Sequence, residues 1–307
     1  MHGNWRCGIR QHGLECIIIP RKSATIPCGV YVEAYCIGIR AMLNDLDIIV
    51  KTFPYEQNII NVYAIGDVHA GSPEFNEEAI KKKIEIIKND PYGVVSLCGD
   101  LGDYGLKNSK TNVYKATMQP REQKRYIYEL FLPIADKIIS AVAGNHEERL
   151  TKEVGICPLY DLCVLWGCDD VYRENLAIVK LQFGNIRGRK KHAQFVGITT
   201  HGSTRNKHHK FINCFDNVDF AISGHTHQMS YASMGRIVIP RQGTVAQHRP
   251  FKEVVVDANL KVGGYGLKHE YEVATPPELQ CLELSFYSDN DRSRSLHKVI
   301  NYHSIQI

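Results

Sequence analysis

From residue 59 onward, short apolar runs closed by glycine and polar residues alternate with longer stretches whose apolar positions recur every three or four residues. Residues 58–65 (NIINVYAI) form a continuous apolar run and read as a buried strand. Residues 73–89 place Ile80, Ile84 and Ile87 on one helical face opposite a charged one, which predicts an amphipathic helix. Residues 93–100 (GVVSLCGD) return to a strand, 121–137 (REQKRYIYELFLPIADK) to a second amphipathic helix, and 138–145 (IISAVAGN) to a third strand. Strand, helix, strand, helix, strand predicts one layer of an α/β domain. After about residue 170 the pattern is mainly β, in residues 175–184, 193–202, 220–225, 236–243, 252–258, 279–287 and 297–305. There is no internal repeat and no low-complexity tract.

The early strands end in chemistry rather than in plain turns. Residues 63–71 (YAIGDVHAG) carry Asp67 and His69, which alternation along a strand would project to one side. A carboxylate and an imidazole aimed at one point make half of a metal site, whereas a strand entering a polar glycine turn is the structural alternative. The second strand closes on CGDLGDYG, with Asp100 and Asp103, and the third on AGNHEERL, with Asn145 and His146. Later strands close on TTHG, with His201, and SGHTH, with His225 and His227. Loops at the carboxyl ends of strands in an α/β sheet converge on one rim, so these residues can meet. Seven candidate ligands (Asp67, His69, Asp100, Asn145, His201, His225 and His227) are too many for one four-coordinate ion, and two ions sharing a carboxylate would use them all. The donors are nitrogen and oxygen without cysteine, which suits Mn²⁺ best, with Fe or Zn²⁺ as alternatives. Taken singly, Asn145 is also compatible with a turn, Asp103 with a helix cap, Glu147 with a structural role, and Glu148 and Arg149 with a solvated helix start or a phosphate contact.

The order D-x-H, G-D-x-x-D, G-N-H-E, H, G-H-x-H over residues 60–250 resembles the calcineurin-like metallophosphoesterase superfamily, and every block is present. The resemblance implies an α/β (α+β) fold: a two-sheet β-sandwich flanked by helices, with a dinuclear metal site at the carboxyl ends of the strands. It implies that Asp67, His69 and His227 hold one ion, that Asn145, His201 and His225 hold the other, and that Asp100 bridges them. His146 would stand near the leaving oxygen as a catalytic acid, oriented by Asp103. The implied reaction is phosphoester hydrolysis by a metal-bridging hydroxide. Phosphoprotein phosphatases of the superfamily carry arginines after the second aspartate and before G-N-H-E; here Tyr104 and Ala143 stand there. Residues 241–251 (RQGTVAQHRPF) resemble the phosphodiesterase and DNA-repair exonuclease branch, so a phosphodiester substrate is expected. A phosphomonoesterase or protein phosphatase, a non-catalytic metal-binding scaffold, and a nucleic-acid-binding module with structural metals are the competing readings.

Composition narrows the substrate less than the motifs do. With 44% apolar and 23% charged residues the chain is a globular one, and a formal charge of +4 does not by itself imply nucleic-acid binding. Two local basic segments could contact DNA, RNA or a nucleotide: Arg187, Arg189, Lys190 and Lys191 at an expected hairpin tip, and Arg205, Lys207 and Lys210 just after His201. Arg149 is a further substrate candidate, and Tyr104, Tyr114 or Phe211 could stack a base. The apolar runs are too short for a membrane span or a signal segment, and the ten cysteines show no C-x-x-C pair, which together predict a cytoplasmic protein with reduced thiols and no membrane partner. Residues 1–41 hold four of those cysteines (Cys7, Cys16, Cys28, Cys36) and no sustained period. They read as an accessory or poorly ordered extension, with a zinc module using His2 or His12 as the alternative. Residues 42–250 then form the metallophosphoesterase core and 251–307 the C-terminal strands packed on it.

Overall fold

The computed structural model describes residues 45–107, 113–184, 193–239, 244–263, 277–288 and 296–307. The expectations for residues 1–41 and for the basic cluster Arg187, Arg189, Lys190 and Lys191 lie outside these. The first half of the chain runs β1 (Ile49–Phe53), β2 (Ile59–Ile65), α1 (Glu77–Asn89), β3 (Gly93–Leu97), α2 (Pro120–Phe131), β4 (Ile138–Val142), α3 (Asn145–Val154), α4 (Pro158–Trp166) and β5 (Tyr172–Arg173). The second half runs β6 (Leu176–Phe183), β7 (Ala193–Thr200), α5 (Arg205–Ile212), β8 (Phe220–Ser223), β9 (Ser230–Val238), β10 (Gln247–Val255), β11 (Glu278–Tyr287) and β12 (His297–Gln306). Two six-stranded mixed sheets result, ordered β12-β11-β2-β3-β4-β5 and β1-β6-β7-β8-β10-β9.

The α/β half follows the expected alternation, and β2, β3 and β4 pair in parallel. Every residue of β3 and β4 is buried, as parallel strands covered on both faces must be. The helix α1 begins at Asn76, whose side chain accepts the Ala79 N–H, and buries Ile80, Ile84 and Ile87 as its period predicts. Between the sheets the Ser140 hydroxyl meets Ser96 Oγ at 3.0 Å and Thr199 Oγ1 at 2.9 Å, a polar tie from β4 to its neighbour and across to β7.

Three of the elements that escape the pattern do so for identifiable reasons. The helix α4 (PLYDLCVLW) is apolar on nearly every face and so has no period to read. The helix α5 (RNKHHKFI) is mostly polar. The strand β9 starts at Ser230 rather than Arg236, because half-exposed strands with small residues carry little apolar signal. The strand β10 runs through residue 250, so the chain beyond that point continues both sheets: β10 pairs with β8 and β9, and β11 with β2. Among the described residues no helix is long and apolar enough to cross a membrane.

The turn after β10 is fixed to the other sheet by charge. Lys83, buried on α1, donates to Asp257 Oδ1 at 2.8 Å, while Asp257 Oδ2 accepts the Glu278 N–H at the start of β11. Removing one partner strands the other charge in the interior. Lys83→Met is expected to lower the unfolding free energy by about 3 kcal/mol, measured by urea denaturation.

Candidate metal centre

The loops after β2 and β3 run side by side, zipped by His69 N–H to Asp100 O and Ala70 N–H to Leu101 O, both 3.0 Å. Strand alternation does not place Asp67 and His69 on one side, because β2 ends at Ile65. Both residues adopt left-handed backbone, at φ 48° and 49°, and it is this turn that aims them at the same point. Asp100, His225 and His227 are left-handed too, so five of the seven positive-φ non-glycine residues among those described are candidate ligands. Such conformations cost of order 1–3 kcal/mol each and persist only where the surroundings enforce them. Close approach also explains two motif glycines: a Cβ on Gly144 would lie 2.1 Å from Asp100 Oδ1, and one on Gly224 would lie 2.3 Å from Asp67 Oδ2.

The structure brings all seven candidates into two adjoining groups. In the first, His69 Nε2 and His227 Nε2 are 3.0 Å apart, and Asp67 Oδ1 lies 3.4 Å from His227 Nε2 and 3.8 Å from His69 Nε2. In the second, Asn145 Oδ1 lies 2.9 Å from His201 Nε2 and 3.0 Å from His225 Nδ1. Asp100 belongs to both sides, with Oδ2 3.3 Å from His201 Nε2, and its carboxylate oxygens fall within 4.8 Å of ligand atoms of Asp67, His69, His146 and His201. His201 Nδ1 donates to the Cys98 carbonyl at 2.8 Å, which turns the Nε2 lone pair inward as a metal-binding imidazole requires.

These residues fit divalent cations. Asp67 Oδ1 is buried with no hydrogen-bond partner, an orphan that a cation would satisfy. Burial would raise the Asp67 and Asp100 carboxyls, yet the histidines beside them hold both well below the usual carboxylate range. His201 is pushed up to about 10, burial being outweighed by Asp100 and Asp67, and His69 is raised by Asp67, Asp100 and Asp103 against the same burial. His225, by contrast, is lowered by burial and by His201. Cys98 faces no cation and burial pushes its thiol up, in keeping with a donor set of nitrogen and oxygen.

His146 sits against this centre, its ring 4.5 Å from that of His69 and its Nε2 3.8 Å from Asp100 Oδ2. Its Nδ1 meets the Asp103 main-chain oxygen at 2.6 Å, closer than the Asp103 carboxylate at 3.4 Å, so Asp103 orients it chiefly through its backbone. Burial, with His69 and Arg149 nearby, lowers the His146 imidazole to about 3. Arg149 lies against the same ring, 3.0 Å from Nε2. Burial raises the Asp103 carboxyl, against His69 and Arg149.

Glu147, read from sequence as merely structural, holds the whole arrangement together. Its buried carboxylate accepts the N–H of Gly144 at 2.9 Å, closing the first turn of α3, and the N–H groups of Asp100 and Leu101 at 2.8 Å. Burial and the Asp100 charge push it up to about 7 against those donors. A glutamate three positions after a glycine helix cap is the signal that could have marked it.

A cleft of about 420 Å³ opens beside Asn145, His201 and His225 and includes Ala143, Tyr172 and Phe211. Tyr104, one of the stacking candidates, is fully buried in the core and can offer no face to a base, and Gly102 leaves room for its ring. Tyr114 is 91% exposed and does not line the cleft. Arg205 is the first residue of α5; Lys207 and Lys210 are exposed on that helix and do not line the cleft, whereas His208 and Phe211 do. Buried Glu253 of β10 lies beneath the helix, its carboxylate oxygens 3.0 Å from His208 Nε2 and 2.7 Å from His209 Nδ1.

Three outcomes are expected from this geometry. Asp100→Asn should reduce Mn²⁺ binding from two ions per chain and remove most of the metal-induced rise in melting temperature, measured by metal analysis and calorimetry. In the unsubstituted protein, an imidazolium whose pKa is raised must lose its proton to bind, so affinity should climb about tenfold per pH unit between pH 6 and 9 for each such proton displaced. Glu147→Gln keeps the shape but sets an amide N–H against main-chain donors. It should cost about 2–3 kcal/mol of stability in urea unfolding and weaken metal retention.

No curated protein matches the sequence. Among solved structures, a conserved uncharacterized protein from Streptococcus pneumoniae TIGR4, titled a predicted phosphoesterase, aligns at TM-score 0.33 and 9% identity over 80% of this chain and 98% of its own. Vps29 from Chaetomium thermophilum aligns at TM-score 0.34 and 10% identity over 80% of this chain and 97% of its own. The sequence model of the calcineurin-like phosphoesterase domain matches residues 60–229, a span that contains all seven ligands and His146. That is more than half of the 307 residues, and with two ligand groups meeting at Asp100 inside it, the chain belongs to the calcineurin-like phosphoesterase family.

Proposed function

We propose that the protein is a divalent-metal-dependent phosphodiesterase whose substrates are of nucleotide size. The observation that carries this reading is the pair of ligand groups sharing Asp100, with His146 beside them. Asp67, His69 and His227 would hold one cation and Asn145, His201 and His225 the other. Two such cations clamp phosphoryl oxygens, make water acidic and offset charge in an in-line displacement.

The protein's own groups supply position and the proton. Asp100 is fixed from two directions, through its main-chain N–H by Glu147 and through Oδ1 by the His146 N–H at 2.8 Å. His146, with Nδ1 donating to the Asp103 carbonyl, has Nε2 at the shared edge of the centre, 3.8 Å from Asp100 Oδ2 and 3.0 Å from the Arg149 guanidinium. An anionic phosphoryl group brought against it favours the imidazolium form, which can donate to the departing alkoxide. Diesters are favoured over phosphoprotein because the side chains at the two phosphatase arginine positions offer no clamp. Tyr104 turns into the core, and Ala143 leaves an opening into the cleft where a second ester substituent fits.

His146→Ala is expected to keep both metals and slow turnover by about 10² to 10⁴ for alkyl leaving groups, with a much smaller loss for 4-nitrophenolate, which needs no proton. Rates across a leaving-group series with Mn²⁺ test this. An equal loss for every leaving group would remove His146 from the role of acid, and hydrolysis of monoesters alone would overturn the diester preference.

A further inference from the structure

The walls of the cleft beyond the metal ligands have a chemistry of their own. Phe211 presents a half-exposed ring, held edge-on against Phe215 at 5.2 Å between centroids. Glu174, in the turn between β5 and β6, contributes a carboxylate with no hydrogen-bond or ionic partner among the described residues. Beside it the Asn175 amide donates to Asp45 Oδ2 at 2.8 Å, which leaves its carbonyl oxygen as an acceptor. The other carboxylate on the wall, Glu148, is paired with Lys152 at 2.7 Å. Among the described side chains no lysine or arginine lines the cleft.

An open aromatic face and acceptors, with no lysine or arginine among the described lining side chains, make a poor track for a polyanion, whose further phosphates would meet Glu174. The same set suits a nucleoside. Every base has a face to stack on an aromatic ring, and sugar hydroxyls and base amines are donors that a carboxylate accepts. A volume of about 420 Å³ lies within the range of small-molecule sites. Because Asn145, His201 and His225 form one end, a group seated here is joined directly to a phosphorus at the metal centre.

We infer that this cleft binds a nucleoside carried as one ester substituent of the substrate phosphorus, its base on Phe211 and its hydroxyl or amine donors on Glu174. The inference rests on the phosphodiesterase reading for the position of the phosphorus. It moves substrate recognition away from Lys207 and Lys210, which are exposed on α5 outside the cleft.

The test uses the full chain with Mn²⁺ and two esters that share a leaving group, adenosine 5′-(4-nitrophenyl phosphate) and methyl 4-nitrophenyl phosphate. The expected result is a KM for the adenosine ester lower by about tenfold or more, a preference that Phe211→Ala and Glu174→Gln each reduce by about tenfold and that Phe211→Tyr retains. Calorimetric binding of adenosine 5′-monophosphate to the Mn²⁺-loaded protein gives a readout independent of turnover and should weaken in the same two variants. Equal KM values for the two esters, or a preference unchanged by both variants, overturn the nucleoside pocket and leave the hydrolase standing. If neither ester is hydrolysed while nucleotide binding still depends on Phe211, the pocket stands and the hydrolase falls. Absence of both turnover and binding overturns both, and cleavage of single-stranded oligonucleotides faster than the adenosine ester overturns the pocket.

Discussion

Asp100 must keep its charge where almost no water reaches it, and most of the site is arranged around that requirement. Its side chain is 2% exposed, lies 3.3 Å from His201 Nε2, and accepts the first-turn N–H of His146 from α3. A buried carboxylate is tolerable only with such partners, because the desolvation cost of an isolated one exceeds what any single contact returns. The carboxylate of Glu147 acts at one remove, since it binds the main-chain N–H of Asp100 and of Gly144 together and so locks the loop after β3 to the start of α3. The buried carboxylates of Asp100 and Glu147 repel, and the metal cations for which the ligand set is suited would relieve that repulsion.

The same requirement accounts for the strained backbone. Five ligands adopt left-handed conformations, and small residues at Gly144 and Gly224 let carboxylate oxygens pass within contact of the main chain. The fully buried strands β3 and β4, the hydroxyl tie between the sheets and the Lys83–Asp257 pair supply a rigid frame that can bear this strain. Stability and preorganisation are thus divided in space: apolar packing lies beneath the rim, and strain is confined to the loops on it.

On the nucleoside reading, substrate selection would fall to a different part of the molecule from the one its basic clusters suggest. In the segment 203–211 the lysines attract notice by charge, yet it is His208 and His209 that face Glu253 of β10, at 3.0 and 2.7 Å. Phe211, one turn from His208, lies on the cleft wall with Glu174 opposite in character.

The sequence by itself determined the alternation of β2, α1, β3, α2 and β4, because periodicity records which faces are buried, and it supplied the candidate ligand types, because motif order and donor chemistry are local. It also showed that Tyr104 and Ala143 stand where phosphatase arginines would. Only the tertiary structure decided how Asp67 and His69 come to one side, since left-handed turns and not strand pleating aim them. It alone revealed the role of Glu147, whose main-chain partners lie up to 47 positions away. The rotation of α5 and the burial of Tyr104 were equally out of reach, because each involves a partner distant in the chain: Glu253 for the helix, and the packed core around Gly102 and Gln123 for the tyrosine. Local pattern fixes which residues prefer the interior, but which way a polar helix or a turn residue faces is settled by contacts made across the fold.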